Sequence, residues 1–300
     1  MNVRRKWILL FVGVILTFGL VWVGTQESKP RYKGHTLYEC AMIVVRYGRP
    51  ENTIREAEEG IRQLGTNGMH TVLEWITYRA ADHPVAVFRG ELSHLPLPER
   101  IRTTLLKPFE EEEFLAHYAG AVFRILNTNA ASTIPALVQI VKTNRNPEVG
   151  RRALSALYSI GPQTIPQLVA IIDDPTMRVR AEAVQVLGQF AWHLPALGPL
   201  ILKYAQDSDD RVSEYAAAAL GSKIAPPEDT IPVLIIALES KYPGTRAAAA
   251  ESLGRYGPEA IQAVPKLKAN LLDADANVRR HIAEALSKIV PVATTNAPSQ

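Results

Sequence analysis

Along residues 131–290, apolar runs and polar turn residues recur in a pattern that is typical of paired helices. Each copy has a proline near its start and then a short, strongly apolar run, such as residues 168–172. Residues 173–175 (Asp-Asp-Pro) interrupt that run, because Pro cannot continue a helix and Asp favours the start of the next one. Over residues 179–190 the apolar positions recur at helical spacing along one stripe. The pattern predicts an apolar first helix, a turn and an amphipathic second helix in each copy.

Three columns of residues keep one period through five copies of this pattern. The prolines are spaced by 31, 33, 33 and 33 residues, and the other two columns by 30, 33, 33 and 33. A fixed period in independent columns indicates a repeat protein, in which each unit buries its apolar face against its neighbours. The columns are Pro135, Pro166, Pro199, Pro232 and Pro265; Val149, Val179, Val212, Thr245 and Val278; and Leu157, Leu187, Leu220, Leu253 and Leu286.

The residues before these copies predict degenerate units interrupted by an insert. Residues 57–65 look like the end of a second helix, residues 69–78 like a first helix, and residues 113–127 like its partner. The insert, residues 79–112, is rich in proline, and insertions in repeat proteins map to loops on one face, often the binding face. The predicted organisation is a linker and first helix at 25–56, degenerate units at 57–130, five repeats at 131–290 and a flexible tail at 291–300.

The repeating unit resembles the HEAT repeat, in the short form shared with the phycobilisome-lyase-like HEAT proteins. The resemblance implies an all-α fold, a right-handed α-solenoid of helix pairs whose second helices line the concave surface. It also implies a ladder in which an Asp ties the turn to an Arg of the second helix, through Asp174 with Arg180 and Asp273 with Arg279. The matching residues are Ile165-Pro166, Asp174, Val179-Arg180, Ala183 and Leu187-Gly188, and again Val264-Pro265, Asp273, Val278-Arg279, Ala283 and Leu286.

The first 24 residues predict a membrane anchor. Three cations, Arg4, Arg5 and Lys6, precede an uncharged run from Trp7 to Val23. A helix of this length spans about 26 Å, close to the thickness of a bilayer core. Since positive charge stays inside, we expect a cytoplasmic N-terminus, with residues 25–300 outside the cytoplasm, periplasmic or exported. A cleaved signal peptide and a buried soluble helix are the alternatives, although bulky residues occupy the expected cleavage site.

The charge and the single cysteine exclude several classes of protein. The net charge of +3 comes from residues 1–24, and residues 25–300 carry equal numbers of acidic and basic side chains. A nucleic-acid-binding protein needs a basic stripe, so we expect no nucleic-acid partner. Cys40 cannot form an internal disulfide or a Cys-rich metal site. It acts either as a nucleophile beside His35 or His70 or, as we expect, as a structural thiol.

No catalytic motif stands out in the sequence. The zinc-protease helix, the nucleophile elbow, the phosphate loop and the dinucleotide-binding glycine motif do not occur. His83, His94 and His117 either converge around the insert as a metal site or lie apart on the surface, which we expect. Glu110 to Glu113 form either a docking site for a basic partner or, as we expect, the solvated start of a helix. The sequence therefore predicts no enzyme activity, no cofactor and no metal.

Two columns of the second helices predict a partner-binding face. The first column lies three residues after the Val position and the second six residues after it. Trp192, with His193, forms either an exposed aromatic handle, which is typical of binding hot spots, or a plug between two copies. The predicted contacts are Arg152, Glu182, Tyr215 and His281 from the first column, Gln185, Glu251 and Glu284 from the second, and Trp192. Ala248, Ser155 and Ala218 complete the columns.

The sequence favours a non-catalytic scaffold that binds a protein or peptide at the cell envelope, on the second-helix face or on the insert. The mixed charge of the two columns suits a protein surface. A structural spacer without a specific partner is one alternative. A lyase-like enzyme is the other, suggested by the repeat subtype, but an export signal is wrong for cytosolic chromophore attachment. Fold alone does not decide between them, because function resides in sites carried by a fold.

Overall fold

The computed structural model describes residues 30–46, 48–65, 67–78 and 114–290. These residues form two units that divide after Ala130. Apart from one short hairpin, the regular structure in these ranges is helical, which confirms the predicted all-α class. The predicted anchor at 1–24, the insert at 79–112 and the tail at 291–300 lie outside the described residues. Within the described ranges, no helix combines the length and apolar composition needed to cross a membrane.

The first unit opens with a small antiparallel hairpin that leads directly into a helix. Strand β1 (Arg31–Tyr32) pairs with β2 (His35–Thr36). Thr36 then caps α1 (Leu37–Val45), because its hydroxyl accepts a hydrogen bond from the Glu39 backbone N–H. The Glu39 carboxylate in turn accepts from the Thr36 N–H at 2.7 Å, so two N–H groups at the helix start are satisfied reciprocally.

Three further helices complete this unit: α2 (Glu51–Gly65), α3 (Met69–Thr77) and α4 (residues 114–126). They confirm the helices predicted at 57–65, 69–78 and 113–127. Helices α1 and α2 approach closely at Gly60, where an added Cβ would lie 2.7 Å from the Sγ atom of Cys40. The core of the unit includes Cys40, Ile61, Val72, Ile76 and Phe123, all at most 1% exposed.

The second unit contains five helix pairs, which we call the first to fifth repeats. In each pair the first helix is short and apolar and the second is longer, as the sequence pattern predicts. Short 3-10 helices lead into four of the first helices. The pairs are α5 (Ile134–Thr143) with α6 (Pro147–Ile160), α7 (Ile165–Asp173) with α8 (Arg180–Ala191), α9 (Gly198–Tyr204) with α10 (Asp210–Leu220), α11 (Pro227–Ala237) with α12 (Pro243–Tyr256), and α13 (Val264–Ala269) with α14 (Ala276–Ile289).

Each second helix packs against the second helix of the next repeat, and we call this contact a seam. The late leucines Leu157, Leu187, Leu220 and Leu253 are fully buried in these seams. Buried polar groups are hydrogen-bonded across the seam as well. The Ser252 hydroxyl donates to the Ala217 carbonyl at 2.8 Å, and Tyr256 donates to the Leu220 carbonyl at 3.1 Å. Burial of the repeat core between neighbours is the expected basis of stability in such arrays.

The predicted pairing of Asp174 with Arg180 and of Asp273 with Arg279 within a repeat is wrong, because arginines at this position bind an aspartate of the following repeat. We call this Arg–Asp contact between successive repeats the ladder. Arg180 donates to Asp207 at 2.6 Å, and Arg246 makes two bonds of 2.7 Å with Asp273. Asp174 instead accepts from the N–H and hydroxyl of Thr176. Each of these arginines also donates to a carbonyl of its own repeat, Arg180 to Ile172 at 2.6 Å and Arg246 to Ser240 at 2.8 Å, so it joins two successive repeats.

Candidate functional site

The second helices of the first three repeats enclose an open groove of about 490 Å³. Helices α6, α8 and α10 supply its walls and floor, and the loop after α8 supplies one end. Seven of the ten lining residues are aromatic or carry an amide, a hydroxyl or an imidazole, and the other three are glycine or alanine. The lining residues are Tyr158, Gln185, Gly188, Gln189, Trp192, His193, Tyr215, Ala218, Ala219 and Ser222.

The groove exists because one residue column changes character at the first seam. The residue after each late leucine is Tyr158 in the first repeat and then Gly188, Gly221, Gly254 and Ser287; we call this the glycine column. At Gly188 an added Cβ would lie 2.9 Å from the Cβ of Ala219. Glycine therefore lets the next helix approach closely, whereas Tyr158 places a ring there, 4.9 Å from the ring of Phe190.

Helix α8 supplies the polar and aromatic edge of the groove. Gln185, Gln189 and Trp192 recur at intervals of four and three residues, so they lie on one face of the helix. Gln185 and Gln189 are exposed, and Trp192 is 64% exposed. The alternative in which Trp192 plugs the space between two copies is therefore wrong, because the ring is exposed, and its role as a binding handle stays a prediction. The side of the groove formed by α10 has short side chains there, because Ala218 and Ala219 carry only methyl groups.

The groove is electrically neutral, since none of its ten lining residues is Asp, Glu, Lys or Arg. An ion pair lies one helical turn away, where Arg211 donates to Glu182 at 2.8 Å. Arg211 also hydrogen-bonds the Tyr215 side chain, and both groups raise the pKa of its guanidinium. The two charged side chains next to the groove thus neutralise each other and leave no net charge beside the lining.

Part of the predicted exposure of the second-helix columns is wrong. Glu182 is only 6% exposed, and Ala248 is also buried. The side chains of Arg152 and His281 are each 14% exposed. Glu182 is covered by the next repeat, where Arg211 donates to it at 2.8 Å. Whether these residues contact a partner stays a prediction.

The groove brings together three of the predicted contacts, Gln185, Trp192 and Tyr215, and not the other five. Outside it, Glu251 pairs with Arg255 at 2.6 Å, and Glu284 pairs with Arg280 at 2.9 Å. These are pairs within one helix, four residues apart, which contribute little to stability at a surface.

Sequence reasoning missed five lining residues, Tyr158, Gly188, Gln189, Ala219 and Ser222. One available signal was the glycine column, in which a tyrosine replaces glycine in the first repeat. The other was the exposed stripe of α8, since Gln189 lies four residues after Gln185. Neither follows from the two columns on which the prediction was based, because the groove runs towards the C-terminal ends of the helices.

The candidate nucleophile Cys40 lies in the core of the first unit and is 1% exposed. Burial raises the pKa of its thiol to about 11, with smaller contributions from Glu39 and Glu56. A reactive cysteine needs the thiolate, so this environment supports the structural interpretation. The described ranges hold no cluster of three or more side chains suited to a metal ion. His83, His94 and Glu110 to Glu113 lie outside those ranges.

Stacked helix pairs joined along their second helices define an α-helical repeat protein. The family model for HEAT repeats matches residues 104–188 and 195–287, more than half of the chain, and the chain therefore belongs to the HEAT-repeat family. No curated protein matches the sequence.

Solved structures of other proteins are similar to this chain. The complex of CpcE and CpcF of phycocyanin lyase from Nostoc sp. PCC7120 shows 25% identity over 52% of this chain and 99% of that chain, with a TM-score of 0.43. The karyopherin Kap121p, bound to the extreme C-terminus of the protein phosphatase Cdc14p, shows 16% identity over 85% of this chain, with a TM-score of 0.50. This chain spans 29% of the length of Kap121p, and the similarity shows the fold alone.

Proposed function

We propose that this protein is a non-catalytic scaffold that binds another protein at the cell envelope, through the groove on α6, α8 and α10. The observation that carries the proposal is a neutral groove with three aromatic side chains, Tyr158, Trp192 and Tyr215, of which Trp192 is largely exposed. Tyrosine and tryptophan are enriched at binding hot spots because they provide large contact areas at small cost in conformational entropy.

The chemistry of the lining suits an extended, uncharged peptide segment. The amides of Gln185 and Gln189 each offer donors and an acceptor, the two functions that a peptide backbone presents. The aromatic rings suit apolar side chains or proline, since proline-rich segments dock in aromatic grooves of this kind. A charged segment would lose hydration in the groove without gaining a partner of opposite charge. We therefore expect the bound segment to lack Asp, Glu, Lys and Arg at its centre.

The same neutrality supports a protein partner over a nucleic acid. Nucleic-acid binding depends on Lys and Arg contacts to phosphates, and the groove offers neither. It also supports binding rather than catalysis, because His193 is the one imidazole in the lining and no carboxylate accompanies it there. These observations concern the groove and leave the predicted insert, residues 79–112, as a second contact to be tested.

The location at the cell envelope rests on the sequence of the first 24 residues. Three cations followed by the uncharged run from Trp7 to Val23 support an N-terminal anchor with the repeats outside the cytoplasm. The partner is then an envelope protein or the extracytoplasmic part of one.

Capture of bound proteins from native membranes tests the proposal. The full chain is compared with Trp192→Ala, with a variant lacking residues 79–112, and with Ile236→Ala. Ile236 is the matched control, since it is 57% exposed and does not line the groove. We expect one stoichiometric envelope protein that is lost with Trp192→Ala and retained with Ile236→Ala.

The other outcomes separate the alternatives. Loss of the partner only in the variant lacking residues 79–112 would place the contact on the insert and contradict the groove. Absence of any stoichiometric partner in all samples would favour the structural spacer. A partner that is lost equally with Ile236→Ala would show that general surface hydrophobicity, and not the groove, is responsible.

A further inference from the structure

The fifth repeat exposes the face that each inner repeat buries against its successor. Leu238 of the fourth repeat is 1% exposed, whereas the equivalent Leu271 of the fifth is 39% exposed. Ala250 is fully buried, but its equivalent Ala283 is exposed. The next residue, Leu272, is 93% exposed and stands at the rim of this face, where the inner repeats carry the exposed polar residues Asp173, Gln206 and Glu239. An exposed apolar face whose equivalents are buried in the inner seams indicates a surface that another element covers.

The ladder arginine of this face lacks the carboxylate that its equivalents bind. Arg180 and Arg246 each pair with an aspartate that stands just before the second helix of the following repeat. Arg279 occupies the same column, but it donates only to the carbonyls of Asp273 and Ala274, at 2.6 and 3.0 Å. Within the described residues, no carboxylate forms an ion pair with it.

Further positive side chains without an ion-pair partner in the described part of the chain lie around this face, as Arg279 does. Lys268 and Lys288 of the fifth repeat are exposed, and neither pairs with a carboxylate among the described residues. Residues 291–300 contain no Asp or Glu, so that segment supplies no side-chain carboxylate. A second copy of the same face would bring like charges together, which disfavours self-association.

We propose that the exposed face of the fifth repeat receives a helix pair of an acidic partner protein. An aspartate or glutamate just before the second helix of the partner's helix pair binds Arg279, and apolar side chains of the partner cover Leu271, Leu272 and Leu286. We call the surface formed by these four residues of the fifth repeat the end face. Two of the four inner seams, the second and the fourth, define the required chemistry, because each of them combines a buried apolar column with one Arg–Asp contact at the same position. The proposal is independent of the groove, which lies on the first three repeats.

Site-specific photocross-linking in the native cells tests the end face with the full chain. Leu272→p-benzoylphenylalanine places the photoreactive group on a residue that is almost fully exposed, and Ile261→p-benzoylphenylalanine is the control outside the face. We expect an adduct at residue 272 alone, whose partner peptide lies in a helix pair with Asp or Glu before the second helix. Adding Arg279→Glu should lower its yield about tenfold or more, which corresponds to about 1.4 kcal/mol.

Two further variants keep the result interpretable. Lys142→Glu makes the same change in net charge on the first repeat and should leave the adduct intact, as should Trp192→Ala in the groove. An unchanged thermal unfolding midpoint of Arg279→Glu shows that the repeat still folds. An adduct with a second copy of the chain, an adduct with lipid, no adduct, or a protein adduct insensitive to Arg279→Glu would each overturn the proposal.

Discussion

The first and last seams of the five repeats are built in opposite ways. At the last seam, between α12 and α14, Arg246 bonds twice to Asp273, and Gly254 admits the backbone of Ala285. At the first seam, between α6 and α8, the ladder position is Gly150 and the glycine-column position is Tyr158. Close approach there occurs at the start of the helices, where an added Cβ on Gly150 would lie 2.9 Å from Val179.

This exchange shows how a repeat array gains a site without changing its fold. The last seam combines an ion pair at the start of the helices with close packing at their ends. The first seam packs closely at the start, and the ends are held apart by an aromatic ring. The groove is the space between the separated helix ends, and the residues that close packing would bury line it. Close packing of the helix ends and the open groove thus occur at different repeats.

The largest expected effect comes from removing the ladder at the last seam. Asp273→Ala leaves the guanidinium of Arg246, which is mostly buried, without its carboxylate. We expect a loss of about 2–3 kcal/mol in the free energy of unfolding, measured by urea denaturation. Asp174→Ala is the control, since Asp174 is exposed and bonds only within its own turn, and it should cost less than about 1 kcal/mol. Equal losses in the two variants would contradict the ladder between repeats.

A second pair of variants places the same side chain in equivalent positions of the two seams. Gly254→Val forces a branched side chain against the Cα of Ala285, which an added Cβ would already approach to 3.0 Å. Overpacking of this kind costs about 1–3 kcal/mol. Tyr158→Val removes a half-exposed ring and its contact with Phe190, and should cost about 1 kcal/mol. The comparison fails if valine at position 158 is the more damaging of the two.

The last seam should also be the more sensitive to acid. The hydrogen bonds from Arg246 lower the pKa of the Asp273 carboxyl below its ordinary value of 3.8. Because the pKa is lower in the folded state, the stabilisation is present above the ordinary pKa and is lost as the pH falls through the folded value. Asp273→Asn should therefore flatten the decline of unfolding free energy between about pH 5 and about pH 2. Parallel curves for the two proteins would show that this carboxylate does not contribute.

The smallest effect on stability should accompany a clear effect on binding. Tyr158→Val lowers one wall of the groove while the fold is retained, so capture of the envelope partner should weaken about fivefold, or roughly 1 kcal/mol. Ser155→Ala, on the exposed surface of the same helix, is the control and should leave capture unchanged. A partner that binds Tyr158→Val as well as the wild type would place the contact elsewhere.

The sequence predicted the helix pairs because they depend on local signals. The prolines, the turn residues and the apolar columns each act within one repeat, and all of the second-helix positions fall where the columns place them. The ladder was predicted within a repeat because Asp174 and Arg180 resemble the Asp–Arg pair of the HEAT family. Only the packing of successive repeats brings Arg180 to Asp207, 27 residues away.

What the sequence determined alone is the repeat period, the all-α class and the neutrality of the chain after its first 24 residues. These follow from composition and from helical spacing, which need no knowledge of neighbouring repeats. Tertiary structure decided which polar positions are covered, since Glu182 is buried by a residue 29 positions later, while Trp192 is left exposed. It also decided where the candidate groove lies. The groove is the space that the side chains of three helices leave unfilled, and a residue column describes only one position of each helix.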